Sequence, residues 1–591
     1  WIQGSNAIWV VYGTGKAILR SQPMWAGSAG RCLLIAWHYL ATDAVQAPSS
    51  AEDTARPRGT RANIVLVLTD DQDLELDCRS EGGCFGPTPY VEELLAGQGA
   101  TASHYYVSTP VCCPSRTQML TGRYAHNVRD PYEPVPANGT GATGRQNVPT
   151  CGDEPVEVTP ACGCMHMNCS TALEAETFAG LVQRAGYVTG YFGKYLNPPA
   201  MRPYCKNNVA DRPLSGWPPG WDAFYAMCNQ LSGSSGGYYE MVWVDSEAGR
   251  TTYTGDSPGD YTTSVIGNRT VRWLQKVGKG ERPFLAVAAV RAPHMPYLPP
   301  VWYNGTFSGL AAPRTASFGA EPVGKPSWMS LNGPYSGADV NAFDTHMQMR
   351  WGTLLAVDDL VKSIVDVLAA VGKLDSTYIF YTSDNGYHLG QFRLPSGKQQ
   401  MYEFDIHVPL LVRGPGISAD TVVDGIIANV DLAPTFLDIA GAEAPAGGMD
   451  GRSFLPLLIG DADGAATWRH ELLLEHYSFW GWPTAQFTGH SRHNDSPNNT
   501  WRALRIHNAT HDLLYSESTQ LVDYSFQRPG EQQLYDLTRD PDQLRNLYGS
   551  LAQAQKTDLH LRLERLWGCK GADCFPSGTS LQQSRQLPLR V

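Results

Sequence analysis

Two groups of residues hold the chemistry that can be read first. One is the run Cys112-Cys113-Pro114-Ser115-Arg116, followed by Thr121-Gly122-Arg123. Adjacent cysteines bridge each other poorly, and Pro114 predicts a kinked, extended backbone, so the run is a poor start for a structural disulfide. The other group is Asp70, Asp71, Asp384 and Asn385. All four are oxygen donors with no matching histidine pair, a set that favours Ca²⁺ or Mg²⁺ over zinc. Asp-Asp and Asp-Asn-Gly are also ordinary turn sequences, and either pair alone reads as a turn. What favours a site is that both pairs, and several basic residues, fall just after stretches that read as buried strands.

Those stretches set the fold class. Residues 63–69 (NIVLVLT) form a continuous apolar, β-branched run that ends in Asp70-Asp71-Gln72-Asp73. Such a run predicts a strand covered on both faces, with carboxylates at its carboxyl end, where α/β sheets keep their sites. Residues 187–192 deliver Gly193-Lys194, residues 284–290 deliver Pro293-His294, and residues 377–382 deliver Ser383-Asp384-Asn385-Gly386. Residues 408–412 read as a further strand, and helices are expected at 91–96, 176–185, 346–371 and 432–440. The alternation predicts an α/β fold: a large mixed sheet sandwiched by helices. From about Ala442 the texture changes to short strands at 471–476, 501–507 and 533–537, with a helix at 551–567, the pattern of a smaller α+β subdomain. The expected organisation is a leader and linker at 1–61, a catalytic domain at 62–441, the subdomain at 442–575 and a tail at 576–591. Within the leader, residues 24–47 have the layout of a signal peptide. An irregular Pro/Gly/Cys-rich insertion occupies 133–170.

Composition narrows the partners. The chain has 591 residues, 42% hydrophobic and 17% charged, with a formal net charge of −12. No long Lys/Arg run is present, which argues against nucleic acid and against an electrostatic grip on polyanions. Outside the leader, no run is long and apolar enough to span a membrane. Thirteen cysteines and sequons at Asn138, Asn168, Asn268, Asn304, Asn494, Asn498 and Asn508 fit an oxidising compartment and a glycoprotein. The secretory pathway is expected, with a lysosomal, extracellular or periplasmic destination.

From about Asn63 to Cys574 the chain resembles the type I, formylglycine-dependent sulfatases of the alkaline-phosphatase-like superfamily, in the branch of N-acetylglucosamine-6-sulfatases and arylsulfatases. The resemblance is carried by residues 68–73 (LTDDQD), 112–116 (CCPSR), 192–197 (FGKYLN) and 381–388 (YTSDNGYH). Residues 399–405 (QQMYEFD), 408–416 (VPLLVRGPG) and 534–541 (LYDLTRDP) add to it. It implies hydrolysis of sulfate esters of sugars or aryl alcohols. Cys112 would be oxidised to formylglycine by a formylglycine-generating enzyme that reads the linear motif before folding. One Ca²⁺ would be held by Asp70, Asp71, Asp384, Asn385 and the residue derived from Cys112. Arg116, Lys194 and Lys398 would face the sulfuryl oxygens, and His294 would protonate the leaving group. Many such sulfatases carry a histidine two residues after the strand-end lysine; here that position is Leu196. His126 and His388 are the candidates to replace it.

With Cys32 in the leader, Cys112 modified and Cys113 expected as its buried free neighbour, ten cysteines remain. Cys78 with Cys84 and Cys569 with Cys574 are expected short-loop pairs. Cys162, Cys164 and Cys169 read as disulfide partners in preference to zinc ligands. The aromatic stretch 475–482 (EHYSFWGW) suits either a sugar or aryl face or a subdomain-interface core. Two other functions compete: a phosphohydrolase or phosphodiesterase of the same superfamily, and an inactive carbohydrate-binding glycoprotein.

Overall fold

Seven consecutive buried residues make Asn63–Thr69 the spine of the molecule, strand β1. The structure, a computed structural model, describes residues 61–74, 88–128, 171–197, 201, 204–205, 216–230, 235–478, 484–496, 498–519, 526 and 529–575. The signal-peptide layout at 24–47, the insertion at 133–170, the tail and the Cys78–Cys84 pair lie outside these residues.

Along the chain β1 is followed by β2 (Ala100–Ala102), β3 (Tyr105–Tyr106), β4 (Val188–Gly193), β5 (Ala223–Gln230), β6 (Met241–Asp245) and β7 (Arg250–Tyr253). Then come β8 (Phe284–Ala289), β9 (Thr377–Ser383), β10 (Leu410–Arg413), β11 (Thr421–Val423) and β12 (Ile427–Ala428). Ten of them form one sheet in the order β11-β2-β10-β9-β1-β8-β4-β5-β6-β7, and β3 pairs with β12 beside it. The middle five, β9-β1-β8-β4-β5, are parallel. The flanks are closed by the antiparallel pairs β9–β10, β2–β10, β5–β6 and β6–β7. The sheet is therefore large and mixed, as its sequence pattern predicts.

Alternate side chains of β1 enter two apolar cores on opposite faces. Ile64, Leu66 and Leu68 pack with the helices Phe178–Arg184 and Leu432–Ala440. Val65 and Val67 pack with the helices Thr262–Val277 and Gly337–Ala370. The Gly337–Ala370 helix starts nine residues before the expected 346. Its first turns are polar outside, so apolar periodicity missed them, but a capping box between Ser336 and Asp339 fixes the start.

The C-terminal region forms its own antiparallel sheet. Strands β13 (Glu471–His476), β14 (Thr484–Phe487), β15 (His490–His493), β16 (Thr500–Asn508), β17 (His511–Thr519) and β18 (Glu531–Asp536) complete the strands of the described residues. Their main sheet runs β13-β16-β17-β18, with the helix Gln553–Trp567 against it. β17, which the sequence pattern did not predict, pairs with β16 over its whole length.

Two expectations around the cysteine pair are corrected. Residues Cys112–Thr121 are a helix, not an extended segment. Pro114 occupies its first turn, where the missing N–H has no intrahelical acceptor to lose. Cys113 is disulfide-bonded and is not a free thiol. Successive helical side chains diverge by about 100°, so Cys113 turns to its bridge while Cys112 stays the free cysteine among the described residues. Cys569 and Cys574 are bonded as expected, and Cys205 bonds Cys228.

Two positions give stability predictions. Gly193 has φ of +118°, and a Cβ there would lie 1.8 Å from the Ala289 carbonyl oxygen. Gly193→Ala is expected to lower stability by about 1–3 kcal/mol from backbone strain, with the collision added. A fall in the denaturant midpoint at unchanged slope reads this, and an unchanged midpoint refutes it. His476 is 1% exposed, and neither ring nitrogen has a hydrogen-bond partner among the described residues. Burial pushes its pKa down to about 3 from 6.5. Between those values the unfolded chain binds the extra proton, so stability falls as pH drops from 6.5 towards 3, by up to about 1.4 kcal/mol per unit. His476→Phe is expected to lose less stability than the parent as pH falls from 6.5 towards 3, the window this linkage covers. Equal losses would place the titration elsewhere.

Candidate active site

Because β1, β4, β8 and β9 are parallel, their carboxyl ends lie along one edge of the sheet. Register then sets the neighbours. Thr69 lies beside Ser383, and Ala289 lies beside both Leu68 and Gly193. The backbone ladder runs one step past the strands. Asp384 N–H donates to the Thr69 carbonyl (3.2 Å), Asp70 N–H to Ala292 (3.0 Å) and Lys194 N–H to Ala289 (2.8 Å). Asp70, Asp71, Lys194, Asp384 and Asn385 so arrive in one pocket, and His294 Nε2 stands 3.8 Å from Asp71 Oδ2. Asp71 has φ of +68°, a left-handed backbone that aspartate tolerates better than most residues. Its N–H donates to Asp384 Oδ1 (3.2 Å), and Asn385 Nδ2 donates to its Oδ1 (2.7 Å).

The Cys112–Thr121 helix enters this edge with its first residue. Every side chain in it is buried, and Gly122 ends it in a left-handed turn. Asn429 holds it from the side, donating to Ser115 Oγ and Gln118 Oε1 (3.0 Å each) while accepting from Ser108 N–H (3.0 Å). Cys112 Sγ lies 3.5 Å from Asp70 Oδ1 and accepts from Lys398 Nζ at 2.8 Å. One turn on, Arg116 shares that face. Its Nε donates to Asp384 Oδ2 (2.7 Å) and its Nη1 to the Lys194 carbonyl, while its buried Nη2 has no hydrogen-bond partner. Lys194 Nζ donates to Asp70 Oδ2 (2.5 Å). Lys398 Nζ also donates to Asp71 Oδ1 and to Asn385 Oδ1 (3.4 Å).

Electrostatics in the pocket follow from burial against these pairings. Burial raises the Asp70 carboxyl, but Lys194, His294, Arg116 and Lys398 outweigh it and hold it well below the usual range. Lys398 with His294 lowers Asp71 against the same burial. Burial and the charge on Asp70 push Asp384 up. Burial opposes the charge on Lys398, but Asp71 first and then Cys112 raise it well above its usual value. His294 is pushed down to about 4 by burial, against the pull of Asp71 and Asp70. The Cys112 thiol is pushed up to about 12, again by burial, with Lys194 and Lys398 opposing.

The donor set fits a divalent cation. Asp70, Asp71, Asp384 and Asn385 are 0–1% exposed and rich in hard oxygen. Asp70, Asp71, Cys112 and His294 bring ligand atoms within 4.8 Å of one another.

The other two sequence candidates hydrogen-bond to residues other than the carboxylates and cations of this pocket. His126 bonds Glu475 through Nδ1 (3.0 Å) and the Cys569 carbonyl through Nε2 (3.0 Å). His388 is fully buried, with Nδ1 on Asp405 (2.9 Å) and Nε2 on Asn494 Oδ1 (3.0 Å). Its backbone exchanges hydrogen bonds with Gly397, the neighbour of Lys398. Leu196 is in the apolar core. Three contributors are not evident from sequence pattern: Asn429, Asp405 and Arg350. Arg350 is fully buried and donates to the Asp71 carbonyl (2.5 Å) and Asp73 Oδ2 (2.6 Å). An arginine on the buried face of a long apolar helix was the signal for it.

With its thiol raised to about 12, unmodified Cys112 should resist iodoacetamide in the folded protein near neutral pH and react after unfolding. Mass spectrometry of alkylated protein reads this, and rapid labelling of the folded chain would refute it.

Comparison with known proteins closes the assignment. The Sulfatase family model matches residues 62–442, and that described as N-sulphoglucosamine sulphohydrolase, C-terminal, matches residues 395–567. The chain is 34% identical over 534 residues to N-acetylglucosamine-6-sulfatase of Homo sapiens, covering 88% of this chain and 86% of the relative. It is 28% identical over 563 residues to the arylsulfatase of Volvox carteri, covering 88% and 77%. One solved structure, described as a complex with its substrate D-glucosamine-2-N,6-O-disulfate, shares the fold. Its TM-score is 0.61 at 22% identity, covering 85% of this chain and 97% of that one. A buried cysteine, an oxygen-rich pocket and three fixed cations at one sheet edge thus stand in a chain that belongs to the sulfatase family, the sulfuric ester hydrolases.

Proposed function

We propose that this pocket removes the 6-O-sulfate from N-acetylglucosamine or a related glucosamine, using a formylglycine made from Cys112 and one Ca²⁺ ion. Metal and formylglycine are general to the family; their identity and residues here are our reading. The observation that carries it is the placement of Cys112, the first residue of a buried helix, between the Asp70 carboxylate and the Lys398 ammonium. Asp70, Asp71, Asp384 and Asn385, with the residue derived from Cys112, hold the ion. Bound there, calcium would supply Lewis acidity that makes a hydroxyl of the hydrated formylglycine nucleophilic.

The chain's other residues bind and balance charge. Arg116, Lys194 and Lys398 surround the place where charge builds on the sulfuryl oxygens, and the buried Nη2 of Arg116, 4.0 Å from Asp70 Oδ2 and without a hydrogen-bond partner among the described residues, is a donor available to them. The helix N-terminus adds its positive dipole end. His294 Nδ1 is fixed by the Met295 carbonyl (2.7 Å), which leaves Nε2 on the side of Asp71. A bound sulfate's negative charge opposes the downward shift of this ring and keeps a proton at Nε2 for the leaving oxygen. Complete burial of residues 112–121 supports modification before folding, by a formylglycine-generating enzyme reading an unfolded segment. The disulfides support passage through the secretory pathway, to a lysosome or the extracellular space. The sugar reading rests on the substrates for which the similar proteins are named.

The test combines three measurements on protein from a eukaryotic secretory host. Peptide mass spectrometry across 111–123 is expected to find formylglycine at Cys112. Cys112→Ala is expected to abolish sulfate-ester hydrolysis with the fold kept. Among 4-nitrocatechol sulfate, glucosamine-6-sulfate and sulfated algal polysaccharide, glucosamine-6-sulfate is expected to have the highest kcat/KM. Unmodified Cys112 in active protein would sink the mechanism, and a preference for the aryl ester would sink the substrate.

A further inference from the structure

Away from the active site, two histidines and an aspartate from three segments meet where the catalytic sheet faces the C-terminal sheet. Strands β2 and β11 are parallel, with Ala102 beside Val423, and pairing resumes where Tyr105 lies beside Ile427. Ser103 N–H donates to the Val423 carbonyl (3.0 Å), and Ile427 N–H to the His104 carbonyl (2.8 Å). That register fixes Asp424 beside His104. The third residue, His507, comes from β16 in the other sheet, where its N–H donates to the His470 carbonyl (3.0 Å).

The side chains converge on one point. His104 Nε2 lies 3.2 Å from Asp424 Oδ1, and His507 Nε2 lies 3.5 Å from Asp424 Oδ2. The two rings lie with centroids 3.6 Å apart and planes tilted by 33°, and the three residues offer ligand atoms within 4.8 Å of one another. Bonds of about 2.0–2.1 Å to a tetrahedral zinc ion set ligand atoms about 3.3–3.4 Å apart. The separations of 3.2 Å and 3.5 Å, one to each oxygen of the Asp424 carboxylate, bracket that value.

The surroundings orient the rings as in metal sites. His507 Nδ1 faces Asp512 Oδ1 at 3.4 Å, the arrangement of a carboxylate behind a ligating imidazole. Asp512 is held in turn by Arg505, which also grips Glu403. His104 Nδ1 faces the Tyr106 hydroxyl at 3.4 Å. Both rings thus point Nε2 at the same carboxylate. Their side chains are 16% and 17% exposed while Asp424 is 76% exposed, so the cluster opens to solvent on one side. Two nitrogens and one oxygen are a borderline donor set, unlike the oxygen-rich catalytic pocket.

We propose that His104, His507 and Asp424 form a second metal site, taking one Zn²⁺ or a similar borderline dication with a solvent molecule completing the shell. The ion would tie the C-terminal sheet to the catalytic sheet, and the site stands whatever ester the enzyme cleaves.

The test uses full-length protein stripped with chelator and then held in excess Ca²⁺ to occupy the oxygen-rich pocket. Co²⁺ titration is expected to develop the visible absorption of a tetrahedral site, and Zn²⁺ to displace it and raise the melting temperature. Asp512→Asn is expected to weaken binding about 10–100-fold. His507→Gln is expected to lose both the band and the Zn²⁺-dependent shift. Asp424→Asn changes an exposed side chain, so it keeps the fold and reads the same site if His507→Gln does not fold. Absence of the band in the parent, or its persistence in a folded variant lacking His507 or Asp424, overturns the proposal.

Discussion

Three carboxylates cannot share a dry pocket unless cations surround them. Asp70, Asp71 and Asp384 are each 0–1% exposed, and removing one partner from a buried ion pair typically costs about 3–5 kcal/mol. Here the partners come from three different places: Arg116 from the buried helix, Lys194 from the end of β4, Lys398 from the turn after β9. Each reaches a different carboxylate. The helix, the sheet edge and the turn are therefore bound to one another by the same charges that make the pocket suited to an anion. Specific geometry at such a cluster comes from the number of independent segments that must agree, more than from the strength of any one pair.

The parts of this arrangement that were legible in the sequence are those encoded locally. A buried strand is a run of β-branched residues, and the residues just beyond its end must lie at a sheet edge. Asp70, Lys194, His294 and Asp384 could all be placed from that rule. The helix Leu432–Ala440 and the strand Glu471–His476 were legible to the residue for the same reason. What was not legible depends on partners distant in sequence. His388 reads as a loop histidine until Asp405 and Asn494 are beside it, and His126 until Glu475 is. The fate of Cys113 required knowing that its segment is a helix, which Pro114 argued against until the proline is seen in the first turn. Arg350 was hidden inside an apolar helix because its partners, Asp73 and the Asp71 carbonyl, lie on the neighbouring loop.

The C-terminal sheet is more than an appendage to this site. Lys398 sits between Gly397, whose backbone is paired with His388, and Gln399, whose φ is +91°. A non-glycine residue in that conformation persists only when its surroundings over-determine it. Here the surroundings are Trp501 Nε1 and Asn499 Nδ2, both donating to the Gln399 carbonyl, at 3.1 Å and 3.3 Å. Asn494 adds a bond to His388 Nε2 and accepts from Gln400 at its carbonyl. Trp501, Asn499 and Asn494 all belong to the C-terminal region, so the turn that carries Lys398 is shaped by a region that supplies none of the carboxylates. A contact tying that sheet to the catalytic one bears directly on where the Lys398 ammonium points, and Glu475 N–H on the Ser108 carbonyl (2.8 Å) is such a contact. It lies four residues before the helix that presents Cys112. The two cations farthest apart in sequence, Arg116 and Lys398, are thus both referenced to the junction of the sheets, and the spacing of the pocket is set by that junction as much as by the strands that end in it.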